Sequence, residues 1–309
     1  MQKLKIDLPD GFLDEEIREG YLVTSDMKKV WAVELDLFAE FDRVCRKYDI
    51  TYYADAGTML GAVRHKGFIP WDDDIDVKLS RENYEKLCQI APKEFTENYF
   101  WQTEYTDPGS LRGHAQLRNS STTAILEFEK GLQKFNQGIF IDIFPFDSVI
   151  DDKKLFEEQK ERAESYRRHC LYLRDVIYNY KKKQYKFPKN ILAPLRSTYY
   201  RWKNKNCEKP YRLFERECAR YNNIQTPQIS LLSFQFDPIH FQSRADYDDI
   251  VYMPFEFMQM PVPKGYDHIL TDRYGDYMKP VKGGSMHGKI IFDVDRPYTD
   301  YLEKFNKSR

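Results

Sequence analysis

The sequence predicts a mixed α/β (α+β) fold, and three observations point to it. Apolar residues recur at helical spacing in some segments and alternate at strand spacing in others, and the two kinds of segment follow one another along the chain. Aromatic residues make up 16% of the 309 residues, enough to build a core beside 31% charged residues. Four aspartates in five positions, Asp72, Asp73, Asp74 and Asp76, run into apolar Val77 and Leu79. That pattern suits a strand with one buried face and carboxylates on the other.

In chain order, residues 1–26 read as an extended arm with Pro9, Gly11 and scattered acids. From Ser25 onward Val30, Val33, Leu37, Phe41 and Val44 recur every three or four residues. This spacing predicts a helix of about twenty residues, with Ser25 or Asp26 as N-cap. Residues 50–54 are β-branched and aromatic and predict a strand. Gly57 opens a turn into a short helix through Val63, residues 74–79 form a strand, and Ser80 caps a helix to about Ala91. Further short strands are expected at 99–103, 114–118 and 138–143, so that 27–150 forms an α/β core. Two long helical stretches, 151 to about 183 and 195–222, make 151–230 a helical insertion. Residues 231–309 return to the core through a strand-like run at 251–260, a helix at 266–274 and a glycine loop at 283–289.

Net charge is -1, but it is unevenly spread. Between Ser165 and Arg212 there are fourteen Lys or Arg against two acids, Asp175 and Glu208, so the insertion is basic. Its interleaved aromatics, among them Tyr172, Tyr178, Tyr180, Tyr185, Phe187, Tyr199, Tyr200, Trp202 and Tyr211, suit an anionic lipid surface or a solvated helical face. Nucleic acid competes as an anionic partner but is not the expected one. Five separated cysteines without CxxC or zinc spacing predict free thiols in a reducing compartment. With no apolar N-terminal segment and no run of membrane-spanning length, a cytoplasmic protein is expected, with peripheral contact at the inner membrane face.

Crowded carboxylates on an ordered strand call for a divalent cation. Strand phase puts Asp74 and Asp76 on one face, where both reach one Mg²⁺ (or Mn²⁺). Asp72 shares that phase, as a ligand or as a partner of Arg64, while Asp73 points the other way. Asp142, between Ile141 and Ile143, is costly to bury without a cation and is a candidate third ligand or general base. Asp147, after Pro145, reads as a turn residue. Gly57 and Thr58 offer close backbone approach and free N–H groups for phosphate at a helix start. Arg64, His65 and Lys66 are expected to neutralise phosphate charge beside the carboxylates. Arg112, His114, Gln116 and Arg118 alternate along one strand, as its wet side or as phosphate and nucleotide contacts. The glycine loop adds His287 and Lys289, in a lid or a mere connection.

The run Tyr53-Ala54-Asp55-Ala56-Gly57-Thr58-Met59-Leu60-Gly61, continuing through Arg64-His65-Lys66-Gly67-Phe68-Ile69-Pro70-Trp71 to Asp76-Val77, resembles the signature of the LicD family. That family includes bacterial phosphocholine transferases and is related to animal fukutin-type proteins. Gln116-Leu117-Arg118-Asn119 with Thr122, Phe140-Ile141-Asp142-Ile143-Phe144-Pro145-Phe146-Asp147, Pro261 to Tyr266 and Tyr274-Gly275-Asp276-Tyr277-Met278 extend the resemblance. It implies a nucleotidyltransferase-like core and metal-dependent transfer of a substituted phosphate from a CDP-linked alcohol to a hydroxyl of a glycan or lipid-linked glycan. In the family pattern Gly57-Thr58 is the phosphate turn, Asp74 and Asp76 the metal pair, and Asp142 the third carboxylate. Three other readings are a nucleotidyltransferase using an NTP, a glycosyltransferase with a DxD pair, and a surface-binding protein with a decayed site.

Overall fold

The computed structural model describes residues 3–127, 135–177, 186–203, 206–283 and 289–307. In chain order the elements are β1 (Glu16–Arg18), β2 (Tyr21–Val23), α1 (Ser25–Lys47), β3 (Tyr53–Ala54), α2 (Ala56–Arg64), β4 (Asp76–Ser80), α3 (Arg81–Glu94), β5 (Tyr99–Gln102), β6 (Ala115–Asn119), β7 (Thr123–Leu126) and β8 (Ile139–Val149). The helices α4 (Lys153–Ile177), α5 (Lys189–Trp202) and α6 (Glu208–Cys218) follow. The chain closes with β9 (Gln228–Ser230), β10 (Gln242–Ser243), β11 (Ile250–Phe255), β12 (Met258–Pro263), α7 (Tyr266–Tyr274), β13 (Ile290–Asp293) and α8 (Tyr298–Lys307).

The fold is α+β around a mixed sheet. Long β8 is its axis: β4 runs parallel along one side and β6 antiparallel along the other, with β3 outside β4, β5 outside β6, and β9 and β10 continuing from the far end of β8. Strand phase gives the sheet two unlike faces. Val77, Leu79, Ala115, Leu117, Ile141 and Ile143 are fully buried on one face, in the same core as residues of α1 and α3. Asp76, Lys78, Gln116, Arg118 and Asp142 occupy the other, by the pairings Asp76↔Asp142 and Gln116↔Asp142.

Local chemistry explains the helices. Thr24 caps α1, its hydroxyl accepting from Met27 N at 3.3 Å, one residue earlier than the expected cap. Acidic Asp26 in the first turn and Arg46 and Lys47 in the last complement the helix dipole. The helix is buried well beyond its predicted stripe, at Trp31, Leu35 and Phe38 too, because the N-terminal segment covers its back. Asp36 Oδ1 accepts from Lys5 N at 2.6 Å and Ile6 N at 3.1 Å, and β1 and β2 form a hairpin where the sequence predicts only an extended arm. Ser80 caps α3 as expected, accepting from Asn83 N at 3.3 Å.

The basic insertion is a helical layer with its own small core, in which Phe156, Cys170, Tyr211, Phe214 and Cys218 pack against Val149 and Leu232. All five cysteines are free, in line with expectation. Among the described residues no helix is long and apolar enough to cross a membrane.

Candidate active site

Asp76 and Asp142 face one another across β4 and β8 because the parallel register pairs them directly. His114 and Gln116, two apart and therefore in phase, both reach Asp142 Oδ1: His114 Nε2 at 2.9 Å and Gln116 Nε2 at 2.5 Å. The His114 ring is fixed in turn by the face of Phe144, 4.2 Å between centroids. Two donors on Oδ1 fix the orientation of the Asp142 carboxylate, which could hold a cation through its other oxygen. This is how outer residues orient a metal-binding carboxylate. Burial acts against the Asp142 charge, yet His114, Gln116 and Arg112 outweigh it and hold its pKa below the ordinary value. Asp76 goes the other way: burial, then Asp74, Asp142, Asp55 and Asp72, push its pKa well up. Carboxylate oxygens of which one, Asp76, resists ionisation beside an ionised Asp142 could hold a hard divalent cation.

The approach to this pair departs from strand phase. β4 begins only at Asp76, so 72–75 is irregular, and Asp72, Asp73 and Asp74 bring one oxygen each within 4.8 Å of one another. Asp73 therefore does not point away as alternation predicts, and Asp74 is a loop residue beside Asp76, not its strand neighbour. Trp31 Nε1 of α1 donates to Asp72 O at 3.0 Å and pins this loop. Gly57, at the start of α2, lies beneath Asp72: a Cβ there would meet Asp72 Oδ2 at 2.5 Å. Thr58 Oγ1 accepts from Asp76 N at 2.8 Å, which joins the helix start to the strand start.

Three expected phosphate contacts are placed elsewhere. Arg64, His65 and Lys66 stand at the far end of α2, about 10 Å along its axis from Gly57 at 1.5 Å per residue. Arg64 Nη1 donates to Tyr277 O at 2.6 Å, and the Arg64 side chain is not turned to Asp72. His65 Nε2 meets Glu19 Oε2 at 3.1 Å, while exposed Lys66 accepts Glu256 N through its carbonyl at 2.8 Å. The helix therefore separates the triplet from the turn at Gly57. Instead the triplet docks the N-terminal hairpin and the β11–β12 hairpin.

Arg118, expected as a phosphate contact, is placed in the interior. It is 1% exposed and donates to Gln102 Oε1 and Gly138 O, both at 2.6 Å, and to Gln116 Oε1, over the face of Phe140. By holding the Gln116 carbonyl it turns the Gln116 amide N–H toward Asp142. Arg112 is not on β6 but in the loop before it, close enough to Asp142 to lower its pKa. That loop reaches the site through Gly113, whose φ of +86° and 2.2 Å Cβ clearance to Ser233 O exclude a side chain. Lys289 is exposed and its carbonyl accepts Glu127 N, beside the β7–β13 ladder. His287 lies outside the described residues.

Three residues near the carboxylates escape the sequence reading. Glu34 of α1 is buried with Oε2 unpartnered among the described residues, and burial followed by Asp74, Asp73, Asp72 and Asp76 pushes its pKa well up. Its signal is one of two acids, with Asp36, within the apolar run from Val30 to Phe38. Arg273, in the last turn of α7, makes no hydrogen bond or ion pair among the described residues. The surrounding protein opposes its charge, but Asp55, Tyr274 and Asp76 outweigh that and raise its pKa. It directly precedes the Tyr274-Gly275-Asp276-Tyr277 motif. Buried Lys78 completes the group, 2.8 Å from Asp55 Oδ1 and 2.6 Å from Gln242 Oε1. Gln242 opens onto a cleft of about 330 Å³ shared with Asp246, His268 and Asp272.

Residues 49–207 match the family described as LicD/FKTN/FKRP, nucleotidyltransferase domain. Over 254 residues the chain is 30% identical to the lipopolysaccharide cholinephosphotransferase LicD of Haemophilus influenzae, covering 79% of this chain and 88% of that protein. The chain belongs to the LicD family. A shorter similarity, 42% over 57 residues, reaches the uncharacterized protein RP689 of Rickettsia prowazekii, over 18% of this chain and 21% of that one. Another, 40% over 57 residues, reaches RT0683 of Rickettsia typhi, 18% of each chain. The LicD-family match contains α2, β4, β6 and β8, which carry the carboxylates and their supports, while Glu34 and Arg273 lie outside it.

Proposed function

We propose that this LicD-family chain is a metal-dependent transferase that moves phosphocholine, or a related alcohol phosphate, from a CDP-linked donor to a sugar hydroxyl of a lipopolysaccharide-type glycan. One observation carries the reading: Asp76 and Asp142 are paired in register beside the N-terminus of α2, in a chain similar along most of its length to a cholinephosphotransferase. Asp76, Asp142 and Asp74 would hold Mg²⁺ or Mn²⁺, with Asp72 beside them. When bound, such an ion neutralises diphosphate charge and polarises the phosphorus–oxygen bond. Arg273 supplies the cation that faces the transferring phosphate, the part expected of Arg64 and Arg118. The first N–H groups of α2 and the Thr58 O–H complete the donor side. The cleft at Gln242, Asp246, His268 and Asp272 offers amide and carboxylate groups matched to sugar hydroxyls and is assigned to the acceptor. The acceptor hydroxyl gives its proton to a site carboxylate or water, its oxygen bonds to phosphorus, the phosphorus–oxygen bond to CMP breaks, and CMP leaves.

The test is to incubate the protein and Mg²⁺ with CDP-choline, CDP-glycerol and CDP-ribitol plus a lipopolysaccharide acceptor, and to follow CMP. Release with one donor, lost with chelator and in Asp74→Ala, is the expected result. Pyrophosphate release from an NTP in its place would transfer the reading to nucleotidyl transfer. Arg273→Ala should lower kcat/KM for the donor by about 10²–10³-fold, the cost of losing one charge-stabilising group. Arg273→Lys should recover only part, because an ammonium lacks the guanidinium fork. Gly57→Ala should lower kcat by up to about 100-fold with unchanged circular dichroism, since its methyl displaces the Asp72 carboxylate without touching the core.

A further inference from the structure

The helix α5 carries an apolar stripe that nothing in the described chain covers. Ile191, Leu192, Leu195, Tyr199 and Trp202 follow helical spacing along one side, and with Phe187 just before the helix they are between 49% and 78% exposed. The opposite side is fastened to α4. Ser197 Oγ donates to Ile177 O at 3.1 Å, Arg201 Nη2 to the same carbonyl at 2.9 Å, and Arg196 Nη2 to Tyr172 Oη at 2.8 Å. The stripe is thereby held outward. Lys186, Lys189 and Lys203 are all exposed around it, and the first turn of the helix contains no acid.

We infer that this face of α5 lies in the headgroup region of an anionic lipid bilayer. Charge selects that occupant. The surrounding segment has fourteen basic residues against two acids in a chain of net charge -1, so a second copy would set like charge against like, whereas an anionic membrane neutralises it. The side chains agree. Leu and Ile along the centre, Trp202 and Tyr199 toward one end, and flanking lysines that keep their ammonium groups in water are the layout of a helix lying in the interface plane. The α4 hydrogen bonds prepay its ordering, so α5 meets the surface already folded. This inference goes beyond the transfer reaction and holds whichever donor the site takes.

The test is sedimentation of the full chain with vesicles of phosphatidylcholine containing about one third phosphatidylglycerol, against phosphatidylcholine alone. Wild type should pellet with the anionic vesicles at low salt and less at high salt. Leu192→Asp/Leu195→Asp should lower the partition coefficient by at least about tenfold while circular dichroism and melting temperature stay unchanged. Trp202→Phe should remove the lipid-induced blue shift of tryptophan emission. Failure of wild type to pellet at low salt, or pelleting of the double variant like wild type, overturns the inference. So does a dimer in solution that the same two substitutions dissociate, which would assign the face to a second copy.

Discussion

Asp76→Asn and Asp142→Asn should each reduce CMP release by at least about 10²–10³-fold, while Asp76→Asn raises the melting temperature of the protein measured in chelator. The two effects have opposite signs for one physical reason. Asp76 is crowded by Asp74, Asp142, Asp55 and Asp72 in surroundings that disfavour its charge, so an isosteric neutral amide relieves repulsion in the metal-free fold. Once a divalent cation is the partner, that same charge is what holds it, and the amide binds it poorly. Asp142→Asn should not stabilise, because its carboxylate is already favoured by His114, Gln116 and Arg112 and the amide would set an N–H or a weaker acceptor against them. Thermal melts with and without Mg²⁺, beside the CMP assay, distinguish the two variants. Equal activity in wild type and Asp76→Asn would remove this pair from the reaction.

Asp147→Ala should destabilise the fold by about 3–5 kcal/mol, the cost of stripping one partner from a buried ion pair. Asp147 is 1% exposed near the end of β8 and binds Arg81 in a fork, Nε to Oδ1 at 2.9 Å and Nη2 to Oδ2 at 2.6 Å. Asn222 Nδ2 adds a third donor at 2.7 Å. Burial opposes the Arg81 charge, yet Asp147 more than compensates and raises its pKa well above the usual arginine range. Alanine would leave that guanidinium buried and unpaired where α3, β8 and the helical layer meet. Urea unfolding of wild type, Asp147→Ala and Asp147→Asn measures it, with Asn expected to lie between. The sequence reading of Asp147 as a turn residue fails here: Pro145 suggests a break, but β8 continues through it, with Leu79 opposite Pro145 in the parallel ladder.

Elements with strong periodicity were legible without coordinates. The apolar repeat from Val30 to Val44 became α1, Ser80 is the cap that its hydroxyl suggests, and 266–274 is the helix α7. Asp142 was legible as a site candidate because an acid between Ile141 and Ile143 needs a reason to be there. Phase arguments failed where the backbone is not a strand. Asp73 and Asp74 sit in the loop before β4, so period two does not apply to them. Adjacency in sequence did not bring Arg64, His65 and Lys66 beside the turn at Gly57, since a helix separates them. Arg118 has the chemistry of a phosphate ligand, but the side chains around it determine its use, and they turn it inward.

By itself the sequence determined the α+β class, the family, and Asp72, Asp73, Asp74, Asp76 and Asp142 as candidates, because each follows from residue type and local spacing. Only the tertiary structure decided that Arg273 feels the charges of Asp55 and Asp76, that His114 and Gln116 orient Asp142, that Glu34 feels the charge of the acidic loop, and which side of α5 is bare. Glu34 and Arg273 are hundreds of residues apart along the chain, and each acquires its role from neighbours brought by other elements. Charge interaction depends on separation in space, and for residues so far apart in sequence that separation exists only once α1, β4 and α7 have packed together.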